Sequence, residues 1–354
     1  MNERAIEELG KELDAIEAEV KASLGERDRR YITRLIRIQR GLALTGRAVI
    51  FASLPLVSSG APFFCVLASG AVMLGIAKIL ENMEIGHNVL HGQWDWMNDP
   101  EINSRVWEWD NVCPSDQWKH SHNVVHHTWT NVIGKDRDVG YDVLRVTDAQ
   151  PWKPAYLFQP IYNFVLMLFF EWGVAFHDIE VDRPLSKSKH LLRGIAKKAT
   201  RQAVKDYVLW PALAGPFFFW VLAANVIANL IRNVWAYTII FCGHFPEGVH
   251  LFTEKDVEGE TRARFRVRQI MGSCNIEGGR LFHLMSGNLS HQIEHHLFPD
   301  LPSNRYPEIA PRVRALCARY GVPYNTGSLL RQFGTTTLKI WRLSFPSPRR
   351  PAIV

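Results

Sequence analysis

Between Arg47 and Lys78 the chain reads AVIFASLPLVSSGAPFFCVLASGAVMLGIA (48–77), without a charged residue. As one helix, at a rise of about 1.5 Å per residue, this stretch would exceed the ~30 Å hydrocarbon core of a bilayer. Ser58-Ser59-Gly60-Ala61-Pro62 lies in its middle and reads as a tight turn. The stretch therefore divides into two spans, 35–56 and 62–81, joined as a hairpin. A second uncharged stretch runs over 207–231, and only Arg232 separates it from 233–246. It divides near 224–229 into two more spans. The expected fold is an all-α membrane protein with four transmembrane helices in two hairpins.

Three histidine clusters stand outside these spans. They are His87-Asn-Val-Leu-His91, His122-Asn-Val-Val-His126-His127 and His291-Gln-Ile-Glu-His295-His296, and they hold eight of the fourteen histidines. On a helix, positions i and i+4 share a face, so two imidazoles can reach one metal. The adjacent histidine can turn toward another. Eight neutral donors exceed what one ion needs, which points to two metals. Cys65, Cys113, Cys242, Cys274 and Cys317 are scattered and form no CxxC pair, so neither a thiolate zinc site nor a disulfide framework is expected. Imidazole suits zinc, copper, iron and nickel. The clusters then form a histidine-rich helical cap on one face of the membrane.

That shared face decides how to read 156–170, which is uncharged but short and contains Gln159, Pro160 and Asn163. A crossing there would put the third cluster on the opposite side from the first two. We therefore expect 156–177 to lie at the membrane interface. Arg27, Arg29, Arg30 and Arg34 precede the first span, and Arg37 and Arg40 lie at its start. Lys187, Lys189, Arg193, Lys197, Lys198, Arg201 and Lys205 precede the third. The positive-inside rule then puts both termini and the clusters in the cytosol. The net charge of +6 follows from these flanks rather than from nucleic-acid binding, for which no recognition motif is present. No linker divides the chain, so 1–354 reads as one domain. It comprises an N-terminal cytosolic amphipathic helix (1–34), a core (35–320) and a C-terminal tail (321–354). Residues 253–277 read as a charged loop or a short hairpin. The spans read as largely free of charge, unlike those of a transporter.

A histidine-rich two-metal site at a membrane surface can act on substrates held in lipid. Unactivated C–H bonds lie beyond side-chain acid–base chemistry, so oxidising an acyl chain needs a redox metal, with iron the natural candidate and zinc still open. The segments HNVLH, HSHNVVHHTWTN and GNLSHQIEHHLFPDLP resemble the three histidine boxes of the membrane fatty acid desaturase family, in order and separation. The likeness covers about 36–320 and is closest in kind to actinobacterial acyl-coenzyme A desaturases. It implies a diiron centre of two non-haem irons, with O2 as co-substrate, that inserts a cis double bond into a long-chain acyl substrate. By motif, the implied ligands are His87, His91, His122, His126, His127, His295 and His296, with His244 at the end of the fourth span. No catalytic residue beyond the metal ligands is implied. In the third box His291 repeats the spacing of His122, while Gln292 occupies the ligand place of a shorter family form. We expect His291, because imidazole binds iron better than an amide. Asn88, Asn123, Asn131 and Asn288 are candidates to orient imidazoles. His120 is expected outside the ligand set, and His177, His190, His250 and His283 read as ordinary.

The chain carries no HPGG haem motif, no GxGxxG and no four-cysteine cluster. An external electron donor is therefore expected: a ferredoxin, cytochrome b5 or a flavin reductase. The expected location is the bacterial plasma membrane, with the active site toward the cytosol. Two rivals remain. One is a hydroxylase of the same metal type acting on an acyl chain, alkane or sterol, and the other is a non-enzymatic metal-binding membrane protein.

Overall fold

The protein, seen in a computed structural model, is described over residues 2–177, 179 and 185–346. Asn2 caps α1 (Glu3–Ala22) by accepting a hydrogen bond from the Ala5 amide at 2.9 Å. The helix buries Ile6, Leu9, Leu13, Ile16 and Val20, one stripe at i, i+3, i+4 spacing. Helix α2 (Glu26–Ser53) tightens into a 3-10 turn over Leu54–Ser59. The chain then reverses at Gly60, whose φ of 69° suits glycine, as the Ser-Ser-Gly-Ala-Pro run predicts. Helix α3 (Ala61–Ile79) continues through a π-helical stretch, Leu80–His87, to Asn88–Leu90. α2 and α3 run antiparallel in close contact. A Cβ on Gly70 would lie 2.8 Å from the Ile50 backbone nitrogen, and one on Gly46 would lie 2.8 Å from that of Leu74.

The second histidine cluster lies on α4 (Ser115–Trp118) and its π-helical continuation, Lys119–His126. Helices α5 (Gln159–Leu168) and α6 (Phe170–Phe176) follow, bent 98° from each other. Helix α7 (Leu185–Ala203) runs on through Val204–Leu209 to Trp210–Ala212. The next turn corrects the expectation. It falls at Gly215-Pro216, where Gly215 has φ 55°, and α8 (Phe218–His244) passes unbroken through 224–229. Asn225 and Asn229 are not turn residues. Asn225 donates to the Asp206 carbonyl at 2.6 Å and Asn229 to the Tyr207 hydroxyl at 2.9 Å, which ties α8 to the helix before it. The spans are also less bare than expected. Lys78, inside the second span, is buried and pairs with Asp206 at 2.8 Å.

Among the described residues, three helical stretches are long and apolar enough to cross a membrane: Glu26–Ser59, Ala61–Leu90 and Gly215–His244. The bent pair Pro154–Leu168 and Phe170–Phe176 makes a fourth if counted as one span. The protein is mostly helical and has the spans of a membrane protein. The region 253–277 is not a loop, because α9 (Arg262–Met271) forms there. Its arginines face the acidic side of α1, with Arg266 reaching Asp14 at 3.0 Å and also Glu17. Strand β1 (Asn275–Glu277) follows, then α10 (Gln292–Leu297) and α11 (Tyr306–Tyr320). The segment expected to be a tail instead supplies β2 (Thr326–Ser328), parallel to β1, and α12 (Leu329–Leu343). Gln332, Thr336, Ile340 and Leu343 form its buried face, a helical period in residues too polar to stand out. Residues 347–354 of that tail lie outside the described residues.

Because α2 and α3 touch backbone to backbone, Gly46→Leu or Gly70→Leu should force them apart. We expect a loss of about 1–3 kcal/mol of stability, read as a lower midpoint of thermal unfolding in detergent. Gly41→Ala, with open space at its Cβ position, serves as the control.

Candidate metal centre

Four separate segments deliver the eight histidines. α3 delivers His87 and His91, the α4 segment delivers His122, His126 and His127, α8 ends on His244, and α10 carries His295 and His296. Their donor atoms fall into groups within 4.8 Å of one another: His87, His91, His122 and His295; His126, His244 and His296; and His127, His295 and His296. His127 stacks on His296, with ring centroids 4.4 Å apart, so it stands between the groups. The π-helical turn explains the second cluster. The amide of His127 donates to the carbonyl of His122, five residues back, which brings i+5 above i. In an α-helix His127 would sit about 140° round from His122.

The third cluster departs from its expected reading. His291 has φ −100° and ψ 55°, outside helical values, and α10 starts at Gln292. His291 therefore does not share the face of His295. Its ring stacks on His283 at 4.5 Å, outside the donor groups, and burial followed by the nearby His283 pushes its pKa down to about 3. Gln292 instead stands at i, i+3, i+4 with His295 and His296, and its carboxamide nitrogen lies 2.9 Å from His244 Nε2. Gly243 makes room for it, since a Cβ there would lie 3.0 Å from Gln292 Cγ. His120 is exposed and away from the groups, as expected.

The outer nitrogens of five of these rings meet partners, and of those partners sequence reasoning named Asn88 alone. Asp136 lies 3.0 Å from His126 Nδ1, and Asp138 lies 3.5 Å from both His122 Nδ1 and His126 Nδ1. His177 is not an ordinary histidine, because its Nε2 lies 2.8 Å from Asp138. Thr130 and Gln269 meet His296 Nδ1 at 3.2 and 3.1 Å, and Tyr306 meets His295 Nδ1 at 3.4 Å. Of the four asparagines, Asn88 meets an imidazole, His87 Nδ1 at 3.0 Å. Asn123, Asn131 and Asn288 bond to backbone carbonyls or to Glu84 and Tyr31. The only sequence signal for Asp136 and Asp138 was two acids shortly after a histidine box.

Apart from His244 Nε2, which meets Gln292 and His296 Nε2, most inner nitrogens have no such partner. Nε2 of His91, His122, His126, His127 and His295 is buried without a hydrogen bond. A buried nitrogen left so costs about 1–3 kcal/mol, and a metal ion would satisfy several at once. Burial and neighbouring imidazoles hold the pKa values of His91, His127, His295 and His296 well below the ordinary range, so their lone pairs are free. Burial also acts on His126, but Asp136 and Asp138 outweigh it and raise its pKa to about 9. Beside these rings lies a narrow cavity of ≈60 Å³, whose lining includes Met83, Trp118, Tyr141, Phe170 and Ile240.

Comparison with known proteins agrees with this geometry. The model of the fatty acid desaturase family matches residues 62–328. The chain is 49% identical over 353 residues to an NADPH-dependent stearoyl-CoA 9-desaturase of Mycobacterium tuberculosis, spanning 96% of this chain and 80% of the relative. It is 26% identical over 275 residues to an sn-1 linoleoyl-lipid 6-desaturase of Synechocystis, covering 74% of this chain and 76% of that protein.

Asp136→Asn removes the carboxylate behind His126 and should lower metal affinity about 10–100-fold, measured by competition with a chelator. Gln292→Ala should lose bound metal while His291→Ala keeps it, and the opposite result would restore His291 as the ligand. Acid should also weaken binding. His126 has its folded pKa raised to about 9 from an ordinary 6.5, so its protonated pairing with Asp136 is fully present below about 6.5 and lost as pH rises through about 9. Metal must displace that proton, so affinity should fall about tenfold for each pH unit below 9. A flat pH profile would exclude it.

Proposed function

The chain belongs to the fatty acid desaturase family, and on that premise we propose that it inserts a cis double bond at the 9 position of a stearoyl-length acyl chain carried on coenzyme A. The 49% identity to the mycobacterial stearoyl-CoA 9-desaturase supports the substrate and the bond position. The observation that carries the site is the convergence of buried Nε2 atoms without hydrogen-bond partners. In this reading His87, His91, His122 and His295 hold one iron. His126, His244 and His296 hold the other with Gln292, and His127 sits beside both. Two irons bound there would supply O2 activation and hydrogen removal from an unactivated C–H bond.

The chain's own residues do the rest. Asp136 and Asp138 fix the Nδ1 protons, so that Nε2 lone pairs point inward. The apolar part of the cavity wall would pack the acyl chain and keep water from the reacting carbons. Converting a CH2–CH2 unit and O2 to an alkene and two waters takes two further electrons and two protons. The relative's dependence on NADPH supports NADPH as their origin. We assign their delivery to a separate ferredoxin, cytochrome b5 or flavin protein.

The protein is a membrane protein, and we read it as one domain in the bacterial plasma membrane, with the termini and the site toward the cytosol. The basic flanks of 27–40 and 187–205 support that orientation. So does the position of His91 and His244, each at the end of its span opposite Gly60 and Gly215.

Purified protein reconstituted anaerobically should hold about two irons per chain. With NADPH, a reductase and stearoyl-coenzyme A it should form a 9-unsaturated product. A hydroxylated product would favour the rival oxygenase, and protein that binds no iron would overturn the metal assignment. Single cysteines placed at Gly60 and Gly215 should react with an impermeant reagent from outside the cell, while one at Gly25 should not.

A further inference from the structure

We propose that Glu171, Arg232 and Asn233 form the closed end of the acyl cavity and set how much chain is accepted beyond the reacting carbons. The inference rests on the acyl-substrate reading above. The cavity follows one face of α8: His244, Ile240, Ala236 and Asn233–Arg232 line it in turn. Twelve residues of helix place Arg232 about 18 Å below His244. The metal-binding rings stand at one end of this course and an ionic lock stands at the other.

The lock is built from four helices. Arg232 pairs with Glu171 of α6, and both side chains are buried, at 1% and 4% exposure. Gln202 of α7 donates to Glu171 at 2.9 Å. Arg232 also donates to Asn233 at 3.2 Å and to the Asp110 carbonyl at 3.4 Å. Asn233 donates to the Leu168 carbonyl at 2.8 Å, at the end of α5 where the chain bends into α6.

Behind the lock lies a second space. An open apolar groove on the outside of the helices, lined by Phe169, Trp172, Leu222, Val226 and Leu230, shares Glu171 and Asn233 with the inner cavity. The lock is thus a thin polar partition between two apolar spaces. A methyl end can pack against it but cannot pass without leaving a buried charge unpaired. Chains too long for the inner cavity are refused there, while the position of the double bond stays fixed by the distance from the thioester to the metal-binding rings.

The test uses full-length enzyme loaded with iron and a series of saturated acyl-coenzyme A thioesters, in two-carbon steps below and above stearoyl. Asn233→Ala thins the partition. The double variant Glu171→Ala/Arg232→Ala removes it without stranding a charge. Each should raise turnover of the next longer chain relative to stearoyl by about tenfold, the scale of a methylene's worth in a pocket. Ala236→Leu, which fills the cavity above the lock, should shift preference to shorter chains. In every case the double bond should keep its position. Unchanged chain-length profiles in both lock variants, with desaturation retained, would overturn the lock and leave the acyl reading standing. If one lock variant fails to fold, the other decides. Failure of the parent enzyme to desaturate any thioester would instead overturn the function itself.

Discussion

Eight imidazoles with ring nitrogens turned toward one another cannot be buried together in isolation. They offer more lone pairs to a shared space than it has donors to meet, and each unsatisfied nitrogen weakens the fold. Two conditions make the arrangement tolerable. A cation must be able to occupy the space, and the outer nitrogens must be held so that the rings cannot turn away. Asp136, Asp138, Gln269, Thr130, Tyr306 and Asn88 meet the second condition. Their places dictate much of the cap. The 130–138 turn exists to bring two carboxylates behind α4, with Asn131 at a φ of 58° and its amide donating to Asp136 at 2.7 Å. The α9 segment brings Gln269 behind His296, and ion pairs to α1 hold α9 in place.

Helix geometry then decides which histidines take part. Spacing alone suggested that the second and third boxes act alike, since both read i, i+4, i+5. They do not. A π-helical bond from His127 to His122 folds the second box so that all three rings converge. The third box enters its helix one residue late, which leaves His291 against His283 and turns Gln292 inward. Identical spacing has two outcomes because spacing constrains direction only within one regular helix, and the backbone state of His122 and His291 differs.

Much was legible in the sequence for simple reasons. Apolar length and turn residues located the chain reversal at Gly60, and the three clusters supply most of the grouped imidazoles. What was hidden depended on contacts outside any one regular helix. Asp136 and Asp138 look like loop acids until α4 folds back on them. α12 looks like a tail because its buried side is partly Gln332 and Thr336, and Gln332 finds its partner in Cys274 at 2.9 Å. Gly215-Pro216 did carry a turn signal. The asparagines at 225 and 229 mark no break, because their side chains bond to the preceding helix.

The same long-range pairing explains why one helix is invisible to hydropathy. The stretch from Leu185 to Ala212 carries Lys205 and Asp206, yet Asp206 is fully buried and meets Lys78 of α3 and the Asn225 side chain of α8. Charges inside a bilayer are tolerated only when they face other polar groups. Here Lys78 of α3 pairs with Asp206 of that stretch and Arg232 of α8 pairs with Glu171 of α6, so these four helices must assemble together or leave a charge stranded. Arg232 belongs to this system and reaches Glu171 and Asp110 from α8. The polar interior therefore has two consequences from one cause. It fixes the helices against one another, and it ends the apolar cavity at a definite depth below the metal-binding rings. A purely apolar bundle would pack as well, but it would offer a sliding methyl group no such boundary.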